Sequence, residues 1–176
     1  MFMKKFYFLI FLLFGTITIA GAQNRVHYQG EVSLGYGIGT GTYNIDRVPI
    51  NTVHGARICQ YLFVGGGTGV DIYTEDGNSE VFVPLFASAK AYLPINKSFS
   101  LLGMLNLGYG VFASSADEDN IDGGFYAYPQ VGCSLKLSPK KRQAFDFTLG
   151  YHSQSLSKKG VSANFGSFAF KVAFVW

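Results

Sequence analysis

Apolar residues recur at every second position along most of this chain, and nowhere over a long stretch at helical spacing. Eight such runs can be read, separated by turn-rich pieces. In the first, Val26 to Gly39, one face carries Val26, Tyr28, Val32, Leu34, Tyr36 and Ile38, and the other His27, Gln29, Glu31, Ser33, Gly35 and Gly37. The second, Ile50 to Gln60, is ambiguous in facing, because His54 and Arg57 lie on opposite parities. The third to sixth are Leu62 to Tyr73, Val81 to Leu93, Phe99 to Phe112 and Phe125 to Leu137. The seventh is Ala144 to Gln154, and the eighth runs from Phe165 to Trp176.

The connections alternate in character. Gln60-Tyr61, Pro94 to Ser98 and Ser138 to Gln143 are short, whereas Thr40 to Pro49, Thr74 to Glu80, Ala113 to Gly124 and Ser155 to Asn164 read as longer polar loops. Short turns at one end, long loops at the other and an even strand count predict an all-β fold. The specific expectation is an eight-stranded antiparallel up-and-down transmembrane β-barrel, whose first and last strands pair and leave no edge.

Both ends of the chain bear on its destination. Lys4 and Lys5 precede an apolar run from Phe6 to Phe14 and the small residues Ala20-Gly21-Ala22, the layout of a cleaved export signal. The run is short for a spanning helix of about 20 residues. The expected division is therefore a signal peptide over 1–22 and one barrel domain over 23–176. At the other end Phe168, Phe170, Val172, Phe174 and Trp176 share one face of a strand. A terminal aromatic preceded by alternate apolar residues resembles the C-terminal signature that outer-membrane barrels present to the barrel-assembly machinery.

Composition narrows which face points outward. Charged residues make up 14% and aromatic residues 16% of the chain, against roughly 25% charged in a soluble domain. A soluble, lipocalin-like barrel around a small apolar ligand would need several charges per water-facing strand. Here the polar face supplies about one each: Glu31, Arg57, Asp71, Lys90, Lys136, Asp146 and Lys171. The apolar face is therefore expected to meet outer-membrane lipid. The charges are expected to pair across a lumen too narrow for a diffusion pore. Loss of the signal would leave 12 basic residues of the 14 against 11 acidic ones. That near-neutral balance, without a basic cluster on one face, speaks against nucleic acid binding.

His54-Gly55, Tyr61-Leu62-Phe63-Val64-Gly65-Gly66-Gly67, Val83-Pro84-Leu85-Phe86 and Tyr128-Pro129-Gln130-Val131-Gly132 resemble segments of the small outer-membrane β-barrel family. That family is related in fold to the OmpA transmembrane domain and OmpX. The resemblance spans the mature chain and implies fold and location, but it carries no catalytic residue.

Chemistry is sparse. The runs Gly35-x-Gly37-x-Gly39-x-Gly41 and Gly65-Gly66-Gly67-x-Gly69 lack a following Gly-Lys-Ser/Thr and a helix, so they suit strands better than phosphates. Lipid A deacylases of similar architecture use a His-x-Ser pair. Two residues beyond His152 stands Gln154, and Ser153 and Ser155 have the opposite parity, which denies a nucleophile its base. The acidic residues Asp117, Glu118, Asp119 and Asp122 lack the turn glycine and bidentate Glu of a calcium loop. Lys140-Lys141-Arg142 reads as a solvated turn that could meet anionic headgroups. Cys59 is expected on the lumen face and Cys133 on the lipid face, with no bridge between them. The chain is thus expected to be a monomeric, non-enzymatic envelope protein without cofactor or metal, with any extracellular partner at the long loops. A lipid-modifying enzyme and a secreted ligand-binding barrel are the alternatives.

Overall fold

The computed structural model describes residues 26–40, 45–75, 78–112, 123–138, 142–158 and 161–176. Eight strands follow one another: β1 (Val26–Thr40), β2 (Asp46–Ile58), β3 (Leu62–Glu75), β4 (Asn78–Pro94), β5 (Phe99–Phe112), β6 (Gly123–Lys136), β7 (Ala144–Lys158) and β8 (Val161–Val175). Each pairs antiparallel with its neighbours in sequence, and β8 returns to β1, so the sheet is a closed barrel. The amide and carbonyl of Trp176 extend the seam by bonding those of Gly30 at 3.0 and 3.1 Å.

Register fixes the shape. Cross-strand partners traced from Gly30 run through His54, Gly66, Ala87, Leu107, Ala127, Ser153 and Gly166, and return to β1 at Thr40, ten residues above the start. Ten residues at about 3.3 Å each, set against eight strand spacings of about 4.8 Å, tilt the strands by roughly 40°. A barrel of this size admits side chains and little else.

The period-two pattern becomes two walls. Outward positions of β5 (Phe99, Leu101, Gly103, Leu105, Leu107, Tyr109 and Val111) stay apolar along the whole strand, and most are exposed. At the tilt above, twelve steps climb about 30 Å, the thickness of a hydrocarbon core. Exposed aromatics gather toward both margins: Tyr28, Tyr61 and Trp176 near the end where the chain enters and leaves, and Tyr36, Tyr109, Phe125, Tyr151 and Phe168 toward the other.

Inside, large rings lie over glycines. Phe63 covers Gly55 and Gly65, Phe86 covers Gly67, and Phe82 covers Gly110; a Cβ on any of these glycines would stand under 3 Å from the ring or from a neighbouring backbone atom. Phe86 stacks on Tyr126 at 5.4 Å, and Tyr73 meets Phe82 edge-on at 6.4 Å. The buried aromatics Phe63, Phe82, Phe86, Tyr92, Tyr126 and Tyr128 form the apolar part of the interior.

Three sequence expectations need correction. β2 begins at Asp46, so Arg47 to Pro49 belong to a strand and not to a loop. Two residues separate β3 from β4, and two separate β7 from β8; the segments read as long loops are largely ladder, out to Glu75↔Asn78 and Lys158↔Val161. The residues of these segments are largely polar in sequence, so the alternation fades although the backbone ladder continues. Finally, Cys59 lies in the turn after β2 at a positive φ of 57° and not on a strand face. Neither cysteine is in a disulfide. The export segment, the acidic run 117–122 and Lys140-Lys141 lie outside the described residues.

Because the Phe82 ring occupies the space over Gly110, Gly110→Val overpacks the lumen and is expected to destabilise the barrel by about 1–3 kcal/mol. Urea titration of the refolded protein should show the cost shrink in a Phe82→Leu background, and equal costs in both backgrounds would contradict this packing.

Candidate functional site

Two places concentrate polar chemistry: the lumen, and a short row on the outer wall. Among the described residues the lumen contains three fully buried Lys and Arg side chains, Arg47, Lys90 and Lys171, and three fully buried carboxylates, Glu31, Asp71 and Asp146. Alternation brings each inward, because its strand neighbours on both sides face out.

In the lower lumen, toward the chain termini, Lys90 of β4 reaches across to two carboxylates. Its Nζ donates to Glu31 Oε2 of β1 and to Asp146 Oδ2 of β7, the latter at 3.2 Å. Tyr92 donates to Asp146 Oδ2 at 3.3 Å and receives a bond from Gln29 Nε2 at 3.3 Å. Three strands distant in sequence are tied here at one level. In the upper lumen Arg47 Nη1 donates to Asp71 Oδ2 at 2.9 Å, and its guanidinium lies 5.5 Å from the Tyr128 ring centroid.

Arg57 and Lys136 stand apart from these groups. Arg57 is half-buried at the lower rim, where it lies 3.8 Å over the Tyr92 ring and donates to Gln29 Oε1 at 3.2 Å and to the Gln60 carbonyl at 3.0 Å. Lys136 is half-buried at the last position of β6, and neither residue forms an ion pair among the described residues. Both side chains are partly exposed at the ends of their strands. Lys171 is fully buried with its Nζ 5.5 Å from the Tyr128 centroid.

Arg47 was missed by sequence reasoning, which left it in a loop. The signal was present: Arg47, Pro49, Asn51 and Val53 share one parity, with Val48, Ile50 and Thr52 on the other. His152 also lies in the lumen, edge-on to Tyr126 at 4.8 Å and to Tyr128 at 5.7 Å, while Gln154 accepts a bond from Tyr73 Oη at 2.7 Å.

On the outer wall β2 presents Thr52 and His54. Tyr28 Oη stands 2.6 Å from His54 Nδ1, Nε2 stands 3.0 Å from Thr52 Oγ1, and Thr52 donates to the Glu31 carbonyl at 3.1 Å. One tautomer satisfies the whole row: the phenol donates to Nδ1 and Nε2–H donates to the threonine. Trp176 meets His54 edge-on at 6.2 Å and lies over Gly30, whose lack of a side chain admits the indole. The polar groups of the row thus partner one another on an apolar wall, which resolves the facing of β2 with His54 outside and Arg57 inside. Phe168, Phe170, Val172, Phe174 and Trp176 point to the same outer wall. Phe174 stacks on Trp176 at 6.0 Å and tilts against Phe145 at 5.5 Å.

No protein-family model matches the chain, and no curated protein does. Among solved structures it is similar to Neisserial surface protein A (NspA), with a TM-score of 0.63 and 13% identity over 86% of this chain and 98% of that one. It is also similar to the outer membrane enzyme PagL, with a TM-score of 0.54 and 11% identity over 81% of this chain and 97% of that one. At these identities the likeness is one of fold. The chain has the small eight-stranded barrel architecture of outer-membrane proteins of the OmpA and OmpX class.

Breaking the lower cluster by Glu31→Gln or Lys90→Met is expected to destabilise the folded barrel by about 3–5 kcal/mol, because a buried charge loses its partner. Replacing Glu31, Lys90 and Asp146 together should cost less than the single changes combined, and a double-mutant cycle in urea reads the coupling. On the outer wall, Val131→Arg should cost about 2–4 kcal/mol in lipid vesicles, and Thr74→Arg beyond the apolar belt about 1 kcal/mol or less.

Proposed function

We propose that this protein is an integral outer-membrane barrel with a plugged lumen, serving the envelope as a structural or surface-presenting element and not as a pore or an enzyme. The observation that carries this reading is the pairing of an apolar outer wall with an interior closed by Lys90, Glu31 and Asp146. An exposed apolar surface of this extent needs lipid, and a charged layer bonded across the lumen leaves no room for a hydrated path of solute width. The outward row ending in Trp176 fits recognition of the last strand by the barrel-assembly machinery. A single barrel closed on itself needs no second copy, in keeping with a monomer. Partners outside the cell would meet the ends of the β1–β2, β3–β4, β5–β6 and β7–β8 hairpins. The likeness in fold to PagL alone does not transfer that protein's enzymatic character.

Two measurements test the proposal. On gels, unboiled protein should migrate differently from boiled protein and be recovered only with detergent; recovery as a water-soluble monomer would favour the secreted ligand-binding barrel. In planar bilayers the purified protein should give no large, stable conductance, and long-lived open steps would overturn the plugged lumen.

A further inference from the structure

Three of the barrel's strand pairings are interrupted, and each interruption falls at a proline. The β1–β2 register passes from Leu34↔Ile50 to Gly37↔Arg47, omitting Gly35 opposite Pro49. The β3–β4 register passes from Thr68↔Leu85 to Asp71↔Phe82, omitting Gly69 opposite Pro84. The β6–β7 register passes from Ala127↔Ser153 to Gln130↔Gly150, omitting Tyr151 opposite Pro129. On its other side each proline keeps its cross-strand partner, which is Asp71, Gly110 or Leu105 in turn. A residue in an antiparallel ladder turns its N–H and C=O toward the same neighbour. Each missing proline N–H is therefore aimed at a carbonyl, that of Gly35, Gly69 or Tyr151. Among the described residues no side chain donates to any of these three oxygens.

The three carbonyls share one height. At the strand tilt above, one residue climbs about 2.5 Å along the barrel axis and one strand spacing about 3 Å. Traced through the registers, all three oxygens stand about 13 Å above Gly30. That is the foot of the aromatic row Tyr36, Tyr109, Phe125 and Phe168, still within the apolar belt. A sheet oxygen without a donor is costly at that depth, where hydrocarbon offers none.

The gaps differ in what flanks them on the outer wall. Leu34, Tyr36 and Ile50 stand beside the first, and Val70, Val83 and Leu85 beside the second. Immediately above the third are two small outward residues, Ala127 and Ser153, which are cross-strand partners. The Tyr151 ring packs edge-on against Phe168 of β8 at 5.2 Å, on the side away from β6. Pro129 is exposed on the same wall. The third carbonyl thus opens onto lipid through a low-walled notch.

We propose that this notch between β6 and β7 binds the hydroxyl group of a hydroxylated acyl chain in the outer leaflet. The inference rests on the outer-membrane reading above, which places the β1–β2 hairpin end outside. The lipid hydroxyl donates to the Tyr151 carbonyl in place of the missing Pro129 N–H. The Pro129 ring and the Ala127 methyl give its chain an apolar bed. A plain acyl chain has no donor, so the site distinguishes lipids by a single hydrogen bond.

Tyr151-His152 is the one Tyr-His step in the sequence. Labelling tyrosine carbonyls with 13C and histidine nitrogens with 15N therefore isolates this carbonyl by NMR. The full mature protein is placed in nanodiscs of dimyristoyl phosphatidylcholine, or of its analogue with β-hydroxymyristoyl chains. Heat-modifiable migration checks that it is folded in both. The Tyr151 carbonyl resonance should lie downfield in the hydroxylated bilayer, as expected of a carbonyl that gains a hydrogen bond. Pro129→Ala restores an N–H opposite it and should give the hydrogen-bonded position in both bilayers. The same resonance position in both bilayers for the wild type would overturn the proposal, as would a lipid-dependent shift undiminished in Pro129→Ala. Failure to enter either bilayer would instead overturn the outer-membrane reading beneath it. The wild-type comparison stands even if the variant does not fold.

Discussion

A β-sheet with an apolar outer wall has nowhere to leave an unpaired edge. Water satisfies the open N–H and C=O groups of a soluble sheet, but hydrocarbon offers no partner, and each orphan group there costs several kcal/mol. Everything else in this barrel depends on the β1–β8 seam that removes the edge. The return to β1 ten residues above the start sets the tilt, and the tilt determines which side chains meet across the lumen. Gly30 takes part directly, since its backbone bonds Trp176 while the absence of a Cβ lets the terminal indole lie flat over the seam.

Closure creates a second problem. A narrow tube excludes most water, so each polar side chain turned inward must find its partner inside. Large rings set over glycines fill part of the space, and charges fill the rest by bonding across it. Lys90 illustrates the economy of the arrangement: a single ammonium ties β1, β4 and β7, strands that never touch through their backbones. The net worth of such a cluster is small compared with an apolar filling, but its demand for specific partners opposes any slip in register. Arg47 and Asp71 do the same for neighbouring strands nearer the opposite mouth.

The outer wall follows the reverse logic. Here polar groups are few, and those present are matched locally, as Tyr28, His54 and Thr52 are along one diagonal. Thr68 likewise turns its hydroxyl to the Pro84 carbonyl at 2.9 Å. Such local satisfaction keeps the wall compatible with lipid without requiring each outward residue to be apolar. It also explains why β2 was the hardest strand to orient: both of its faces carry polar side chains, and only the partners reveal which face is wet.

Alternation by itself determined the number of strands, their approximate extent and the inward parity of Glu31, Asp71, Lys90, Asp146 and Lys171, because a pleated strand forces successive side chains to opposite faces whatever surrounds it. The outward row from Phe168 to Trp176 was legible for the same reason. The sequence left unread where the ladders continue past the apolar belt, since the residues there are largely polar; Arg47 was lost to the polar run before it, although its alternation with Val48 and Ile50 was legible. Nor could it say which charges meet. Lys90 lies 59 residues from Glu31 and 56 from Asp146, and their encounter depends on closure and on the ten-residue offset, quantities distributed over all eight pairings. Likewise, it was the tertiary structure that left Lys171 without an ion pair among the described residues and Arg57 and Lys136 at the rim, because depth along a tilted barrel is a property of the whole sheet and of no single strand.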